Sequence, residues 1–280
     1  SAFIAKDPQG LLAGRLTAKY MRLLASNGQW ETLLHFIGKE PKSLGLRCSY
    51  YFAKWATGEQ QIAYQFADDL WMHSESRPGE CDALFEQWKL AGLLTAEKVW
   101  QRMLLVYPQS KSVNLLNHLS ELLTGSAYSS KGAVLVQLFL QPEQITTVLP
   151  QGRDADTRAM ATMTLQRVAA TEPSLARSLL VEARQRYGLQ EEEVVRVEGS
   201  IARKFMLERT ASERPWIDKA LQRQHEPALM ELRLRMALWE SDWQGVKLWV
   251  QKIPDSARSD VRWTYWLARA EEAQGRYPHA

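Results

Sequence analysis

The sequence predicts an all-α protein, an irregular α-solenoid in which antiparallel helix pairs stack on one another. Two observations predict this fold class. Apolar residues recur with the helical period wherever a pattern is present, and strictly alternating apolar and polar runs bounded by turn signals are missing. A helix-turn-helix pattern near the start of the chain also recurs near its end. Short helices with shorter connections favour antiparallel neighbours.

The periodic segments are separated by clusters of Gly, Pro, Asn and Ser, which we interpret as helix ends. The predicted helices are Leu12–Leu24, Ala53–Leu70, Cys81–Leu90, Ala96–Val106, Val113–Leu123, Ala155–Ala170, Ser174–Arg186, Glu191–Leu207, Trp216–Arg223, Ala228–Trp239, Trp243–Lys252 and Ser259–Gln274. The longest apolar stretch, Ala133–Leu140, is too short for a membrane span of ~20 residues and is expected to be a buried helix. We assign residues 1–280 to a single domain.

The repeat is the most informative feature of the sequence. Its first copy contains Leu23-Leu24-Ala25, Gln29-Trp30, Leu33–Ile37 and Pro41, and its second contains Met236-Ala237-Leu238, Asp242-Trp243, Val246–Val250 and Pro254. In both copies the proline lies 11 residues after the tryptophan. The agreement in spacing indicates two copies of one structural unit.

Each copy is followed by an Ala, Gly, Ala series with four residues between successive members. The series is Ala53, Gly58 and Ala63 in the first copy and Ala270, Gly275 and Ala280 in the second. It resembles the small-residue skeleton of tetratricopeptide-type repeats, in which Ala lets two helices approach and Gly ends the first. Because the last pair would stop at Ala280, we expect the chain to be a fragment of a longer protein.

Composition excludes several classes of protein. With 45% hydrophobic and 24% charged residues, the chain should fold in water. The 35 basic and 32 acidic residues give a net charge of +3 without a long basic run, so nucleic acid is not expected as a partner. No transmembrane segment and no export signal are recognised.

Motifs for metal, nucleotide or nucleophilic chemistry were not found. The histidines lack ligand partners at the short spacings of a metal site. The five histidines of the chain are His35, His73, His118, His225 and His279. Gly10 and Gly14 lack the rest of a phosphate loop, so we predict no metal and no cofactor. Cys48 and Cys81 are the two cysteines, and their spacing leaves open both free thiols and one bridge.

Acidic pairs and aromatic residues are the remaining candidates. Carboxylate pairs can act as acid and base on sugars. On solenoid helices, however, such pairs are usually solvated or lie in the first turn of a helix. The pairs in this chain are Asp68-Asp69, Asp154 with Asp156, Glu191-Glu-Glu193 and Glu271-Glu272. We assign to interhelical packing Trp30, Trp55, Trp71, Trp239, Trp249, Trp263 and Trp266. Any that are exposed are binding candidates. A partner's anionic groups could be met by Arg258, Arg262 and Arg269.

Several longer strings resemble the large helical domain of the periplasmic soluble lytic murein transglycosylases. They are Arg47-Cys-Ser-Tyr-Tyr-Phe-Ala-Lys-Trp-Ala-Thr-Gly58, Ala67-Asp-Asp-Leu-Trp71, Ser76-Arg-Pro-Gly-Glu-Cys-Asp-Ala-Leu-Phe85, Glu231-Leu-Arg-Leu-Arg-Met-Ala237 and Trp263-Thr-Tyr-Trp266. The resemblance covers nearly the whole chain and is densest at residues 45–90 and 228–276.

The resemblance implies a U-shaped superhelical domain, which in the family is closed into a ring by a linker domain and carries a lysozyme-like catalytic domain. That catalytic domain cleaves the β-1,4 bond between N-acetylmuramic acid and N-acetylglucosamine to give 1,6-anhydromuramoyl products. The resemblance also implies a disulfide between Cys48 and Cys81 and a periplasmic location. Implied partners are peptidoglycan glycan strands, the protein's own catalytic domain and other cell-wall enzymes.

The chain departs from the family in the motifs that mark catalysis. A Glu-Ser dipeptide is followed in the family by Gly-Leu-Met-Gln and Ala-Tyr-Asn-Ala-Gly, and neither later motif occurs here. Glu75-Ser76 and Glu240-Ser241 occur without them. We therefore predict no catalytic residue and a non-catalytic scaffold role. The alternatives are a stand-alone solenoid adaptor for protein partners and an independent enzyme that uses an unrecognised carboxylate pair.

Overall fold

The computed structural model describes residues 11–224, 226–253 and 260–275, with the side chains of residues 11 and 12 excepted. These residues form helices joined by turns, and no strand occurs among them. The helices are α1 (Leu11–Ser26), α2 (Trp30–Ile37), α3 (Leu44–Ala56), α4 (Gln60–Trp71), α5 (Asp82–Leu90), α6 (Ala96–Val106), α7 (Asn114–Leu122), α8 (Ser129–Leu140), α9 (Ile145–Val148), α10 (Ala155–Ala169), α11 (Pro173–Tyr187), α12 (Glu191–Leu207), α13 (Arg214–Leu221), α14 (Pro227–Trp239), α15 (Trp243–Lys252) and α16 (Val261–Ala273). The all-α prediction is confirmed.

The chain divides into two compact units, residues 1–136 and 137–280. Each unit has its own set of packed helices and is described separately. The assignment of the whole chain to one domain stays a prediction.

In the first unit, consecutive helices from α1 to α5 pack against one another, and α6 packs against α7. Helix α3 contacts α1 and α2 on one side and α4 and α5 on the other. The first of these contacts buries an apolar cluster formed by Met21, Leu24, Leu33, Leu46 and Ala53. Packing restricted to close neighbours in the chain is the arrangement expected of stacked helix pairs.

The turn between α3 and α4 depends on small residues. Ala53 and Ala63 are fully buried, one on each helix, and their short side chains let the two helices lie close together. Gly58 between them has φ +104°, in a region that L side chains rarely adopt. Its amide donates to the carbonyl of Trp55 at 3.2 Å and ends α3. The tetratricopeptide-like interpretation of this segment is consistent with that geometry.

The same turn shows that one predicted helix was wrong. Ala53–Leu70 was predicted as continuous, but α3 ends at Ala56 and α4 begins at Gln60. The apolar period continues across the break, and only Gly58 marks the reversal. Helix α2, the start of α3 and the short α9 were not predicted as helices. Elsewhere the predicted and observed ends agree within two residues where the structure describes them, and Ala133–Leu140 lies within α8.

The second unit repeats the neighbour packing. Helix α10 contacts α11 and α12, α12 contacts α13 and α14, and α15 contacts α14 and α16. The buried hydroxyl of Tyr187 in α11 donates to the carbonyls of Ile145 at 2.9 Å and Leu149 at 3.2 Å, which fixes the short α9 against α11. Burial of that hydroxyl raises the pKa of Tyr187.

The two copies of the sequence repeat share one turn geometry. Trp30 begins α2, and Trp243 begins α15. Before each tryptophan, an amide donates at 2.9 Å to a carbonyl five residues earlier, from Gln29 to Leu24 and from Asp242 to Ala237. The residue at the turn has positive φ in both copies, +68° at Gly28 and +54° at Ser241. In the second copy, Pro254 and Ala280 lie outside the described residues.

A disulfide joins Cys48 in α3 to Cys81, which immediately precedes α5. Both cysteines are fully buried. The bond therefore connects α3 to the single 3₁₀ turn, Gly79–Cys81, that ends the otherwise irregular segment 72–81, in agreement with the pairing that the resemblance implies.

Replacing Gly58 by alanine should destabilise the first unit by about 1–2 kcal/mol, because a Cβ is unfavourable at this backbone conformation. Gly14 is the matched control. It lies in α1 with open space around its Cα, so Gly14→Ala should stabilise by about 0.5–1 kcal/mol through helix propensity. Chemical denaturation followed by circular dichroism measures both. Equal effects of the two substitutions would contradict the assigned turn.

Removing the disulfide by the double substitution Cys48→Ala and Cys81→Ala should lower the free energy of unfolding by about 3–4 kcal/mol on the chain-entropy model. The separation of 33 residues sets this magnitude. The measurement is denaturant unfolding with and without reductant. Reductant should destabilise the parent chain and leave the double variant unchanged; an unaltered parent chain would contradict the pairing.

Candidate functional site

The described histidines do not form a metal site. His73 accepts a hydrogen bond on Nδ1 from the amide of Glu75 at 3.1 Å. Within residues 11–224, 226–253 and 260–275, no group of three His, Cys, Asp or Glu side chains lies close enough to hold a metal ion. His225 and His279 are outside those ranges. The expected lack of a metal or cofactor stays a prediction.

At least six of the nine candidate carboxylates lie in helix caps or ion pairs. Asp154 caps α10 by accepting from the amide of Thr157 at 3.1 Å. Glu193 forms a capping box with Gln190 and pairs with Arg158 at 3.2 Å. The other ion pairs in this group join Asp68 to Lys98, Glu191 to Arg184 and Arg223, Glu271 to Lys247, and Glu272 to Arg269. These contacts give the carboxylates structural roles in helix ends and between helices.

The two Glu-Ser dipeptides are in different surroundings. The backbone carbonyl of Glu75 accepts from Arg102 at 3.2 Å, whereas the side chain of Glu240 pairs with Arg214. Glu75 lies in an irregular segment, and Glu240 follows the end of α14. Neither setting resembles the other.

Most of the tryptophans assigned to packing are buried or half-buried. Trp71, Trp249 and Trp263 are at most 3% exposed, and Trp30, Trp55 and Trp266 are half-buried. Trp239 is the exception, with 44% of its surface exposed and the Arg209 guanidinium 4.4 Å from its ring centre. It is therefore the member of that group that stays a binding candidate.

The basic residues near the end of the chain pair locally. Arg262 donates to Asp260 at 2.9 Å, and Arg269 pairs with Glu272. Hydrogen bonds from the Arg262 side chain and backbone lower the pKa of Asp260 to about 2. Arg258 lies outside the described residues.

The first unit contains a cavity of about 340 Å³ between α4, α5, α6 and α7. Its wall is partly apolar and partly charged. It is formed by Trp71, Ser76, Arg77, Asp82, Phe85, Glu86, Lys89, Leu94, Arg102, Leu115, His118 and Leu122. A concave site with an apolar body and a few polar groups is the usual form of a small-molecule pocket.

Arg102 is the most unusual residue of this cavity. It is 4% exposed, donates from Nε to the carbonyl of His73 at 3.3 Å and from Nη2 to that of Glu75 at 3.2 Å, and lies 4.3 Å from the ring centre of Trp71. Burial, and secondarily the charge of Arg77, lower the pKa of Arg102 to about 10, so it stays protonated at neutral pH. It is a buried cation held by carbonyls and an aromatic face.

Sequence reasoning missed Arg102 and Arg77 as site residues. The available signal was register. Arg102 shares its helix face with Val99, Met103 and Val106, which are all buried, and a charged residue at such a position needs a partner. The carbonyls that it meets lie 27 and 29 residues earlier, which the sequence does not reveal.

The second unit has a cavity of about 460 Å³ lined by Arg184, Glu198, Trp216, Lys219, Ala220 and Arg223. Its main cation is already neutralised, because Arg223 pairs with both Glu198 and Glu191. Burial opposes the charged form of Arg223, but the two carboxylates outweigh it and raise its pKa. In this cavity, therefore, the guanidinium of Arg223 already has carboxylate partners, whereas Arg102 in the first unit contacts only carbonyls and an aromatic ring among its described contacts.

None of the helices among the described residues combines the length and apolar character that a membrane span requires.

Known proteins and solved structures that are similar to this chain include soluble lytic transglycosylases. No family model matches the chain. The soluble lytic murein transglycosylase of Escherichia coli is 28% identical over 280 residues, which is 99% of this chain and 43% of that protein. The Salmonella typhimurium protein of the same name is 28% identical over 98% of this chain and 42% of its own length. The chain thus spans less than half the length of these relatives.

Solved structures give the same result. The 70 kDa soluble lytic transglycosylase of Escherichia coli matches with a TM-score of 0.89 and 28% identity, covering 99% of this chain and 45% of that one. An inactive mutant of the lytic transglycosylase of Pseudomonas aeruginosa matches with a TM-score of 0.77 and 27% identity over 98% and 44%. The family resemblance predicted from the sequence motifs is thereby confirmed, and the chain is a domain-length match to the soluble lytic murein transglycosylases.

Proposed function

We propose that this chain is the non-catalytic helical scaffold of a soluble lytic murein transglycosylase. The parent enzyme cleaves the β-1,4 bond between N-acetylmuramic acid and N-acetylglucosamine in peptidoglycan and leaves 1,6-anhydromuramoyl ends. The scaffold holds or guides glycan strands and supports a catalytic domain that lies outside these 280 residues.

One observation carries the proposal. The likeness extends over 99% of the chain but covers only 43% of the relative's length. The sequence motifs that mark catalysis in the family do not occur in these 280 residues. Most carboxylates of the chain's acidic pairs also cap helices or form ion pairs. Asp154 caps a helix, and Glu193 both caps and pairs with Arg158.

The proposal includes a place and a set of partners. A periplasmic location follows from the substrate, since murein lies outside the cytoplasm, and the disulfide between Cys48 and Cys81 suits an oxidising compartment. The partners are peptidoglycan strands, the enzyme's own catalytic domain and other cell-wall enzymes.

The purified chain, incubated with murein sacculi, should release no anhydro-muropeptides, because the proposal assigns catalysis to a domain outside these 280 residues. Liquid chromatography with mass spectrometry of the soluble fraction measures the release. The full-length Escherichia coli enzyme, assayed beside it, is the positive control. Release of anhydro-muropeptides by the chain alone would show that catalysis does not lie elsewhere.

Retention on insoluble sacculi tests the scaffold role separately. The chain should sediment with sacculi in 0.15 M salt, while a soluble protein of similar size and charge stays in the supernatant. A chain that stays in the supernatant and instead captures a soluble protein partner would favour the adaptor.

A further inference from the structure

We propose that the cavity between α4, α5, α6 and α7 binds the carboxylate group of a small organic acid, with Arg77 and Arg102 as the groups that receive it. The proposal concerns a binding site and is independent of whether the chain is part of a transglycosylase.

The buried cation Arg102 has no acidic partner among the described residues. Arg102 contacts two backbone carbonyls and the ring of Trp71, and in the described part of the chain no carboxylate forms an ion pair with it. Arg233, which is 1% exposed, makes a two-pronged contact with Asp218 at 2.7 and 3.2 Å. Buried charges normally have such a partner. Arg102 lacks one and forms part of a cavity wall.

A second cation, Arg77, lies in the same cavity wall. Arg77 donates from Nε to the carbonyl of Leu70 at 3.2 Å and is half-buried in the same wall. Its charge contributes to the lowered pKa of Arg102, so the two guanidinium groups repel each other. An oxyanion beside both would relieve this repulsion, and planar guanidinium groups suit the geometry of a carboxylate.

Other charged residues also line the cavity wall. Among the lining residues, Arg77, Lys89 and Arg102 outnumber the acids Asp82 and Glu86 by one charge, and the carboxylate of Glu75, outside the lining, also acts on Arg77. Glu86 is held by Lys89 at 3.6 Å on α5. These acids offset the charge of Arg77 and Lys89, and in the described part of the chain none of them forms an ion pair with Arg102.

The apolar part of the wall favours an organic anion over an inorganic one. Phe85, Leu94, Leu115 and Leu122 line the cavity beside the cations. These side chains fit the carbon skeleton of an organic acid better than an inorganic ion with polar surface on every side. A volume of about 340 Å³ has room for one sugar or one or two amino-acid residues.

The experiment uses two pairs of probes, each consisting of a carboxylate and its neutral counterpart. N-acetylmuramic acid is compared with N-acetylglucosamine, and N-acetyl-D-alanine with its amide. Only the choice of these murein-related probes rests on the proposed function. Binding to the 280-residue chain is followed by the Nε–Hε signals of Arg77 and Arg102 in ¹H–¹⁵N spectra, with inorganic phosphate as a further probe.

At least one carboxylate should shift both arginine signals saturably, while its neutral counterpart binds at least tenfold more weakly, since hydrogen bonds between charged groups are the stronger class. The acid that binds identifies a sugar-borne or a peptide-borne carboxylate as the source. Equal binding of acid and neutral counterpart, stronger binding of phosphate than of either acid, or no binding of either acid would overturn the proposal.

Arg77→Gln tests the assignment to residues and should weaken carboxylate binding about tenfold or more. Arg196→Gln is the matched control, because Arg196 is exposed on α12 and its side chain donates to the carbonyl of Glu192 at 3.4 Å, far along the chain from the cavity. Circular dichroism confirms that both variants fold. Unchanged binding by a folded Arg77→Gln variant would overturn the proposal, and the probe pairs test the parent chain even if that variant fails to fold. Digestion and binding have separate readouts. Release of anhydro-muropeptides from sacculi would count against the scaffold function alone, and only the probe measurements bear on the carboxylate site.

Discussion

A pair of amphipathic helices has more apolar surface than it can bury by itself, and the organisation of both units follows from this constraint. Helices pack against near neighbours along the chain, as α3 does with α1, α2, α4 and α5, and α12 with α10, α11, α13 and α14. Close packing requires small residues at the crossings, and Ala53 and Ala63 provide them on either side of Gly58. Substitutions at one crossing should therefore act mainly on the adjoining helices.

The irregular segment 72–81 is the main departure from helical packing in the first unit. A helix would satisfy its own backbone, whereas here two carbonyls of the segment are bound by Arg102 from α6. The disulfide from Cys48 fixes the end of the segment to α3. Arg77, within the segment, is held to the end of α4 through the carbonyl of Leu70. The same contacts that order this segment place two guanidinium groups in one cavity wall.

Sequence reasoning was strongest where the pattern reflects local packing. Helix α12 was predicted at its observed bounds because an apolar face and three first-turn glutamates mark it. The helix predicted from Ala53 to Leu70 was wrong, since periodicity does not register the reversal at Gly58. The family resemblance implied the pairing of Cys48 and Cys81, which spacing alone left open. The cavity could not be predicted, because it depends on contacts between Arg102 and residues almost thirty positions away.

The central claim is that these helices belong to a larger enzyme whose catalytic residues lie elsewhere in the polypeptide. The most direct test is to read the coding sequence that follows the codon for Ala280 in the source genome. The proposal predicts an open frame that encodes Glu-Ser, then Gly-Leu-Met-Gln, and later Ala-Tyr-Asn-Ala-Gly. A stop codon at that position, or a continuing frame without these motifs, would contradict the scaffold function and favour an independent adaptor.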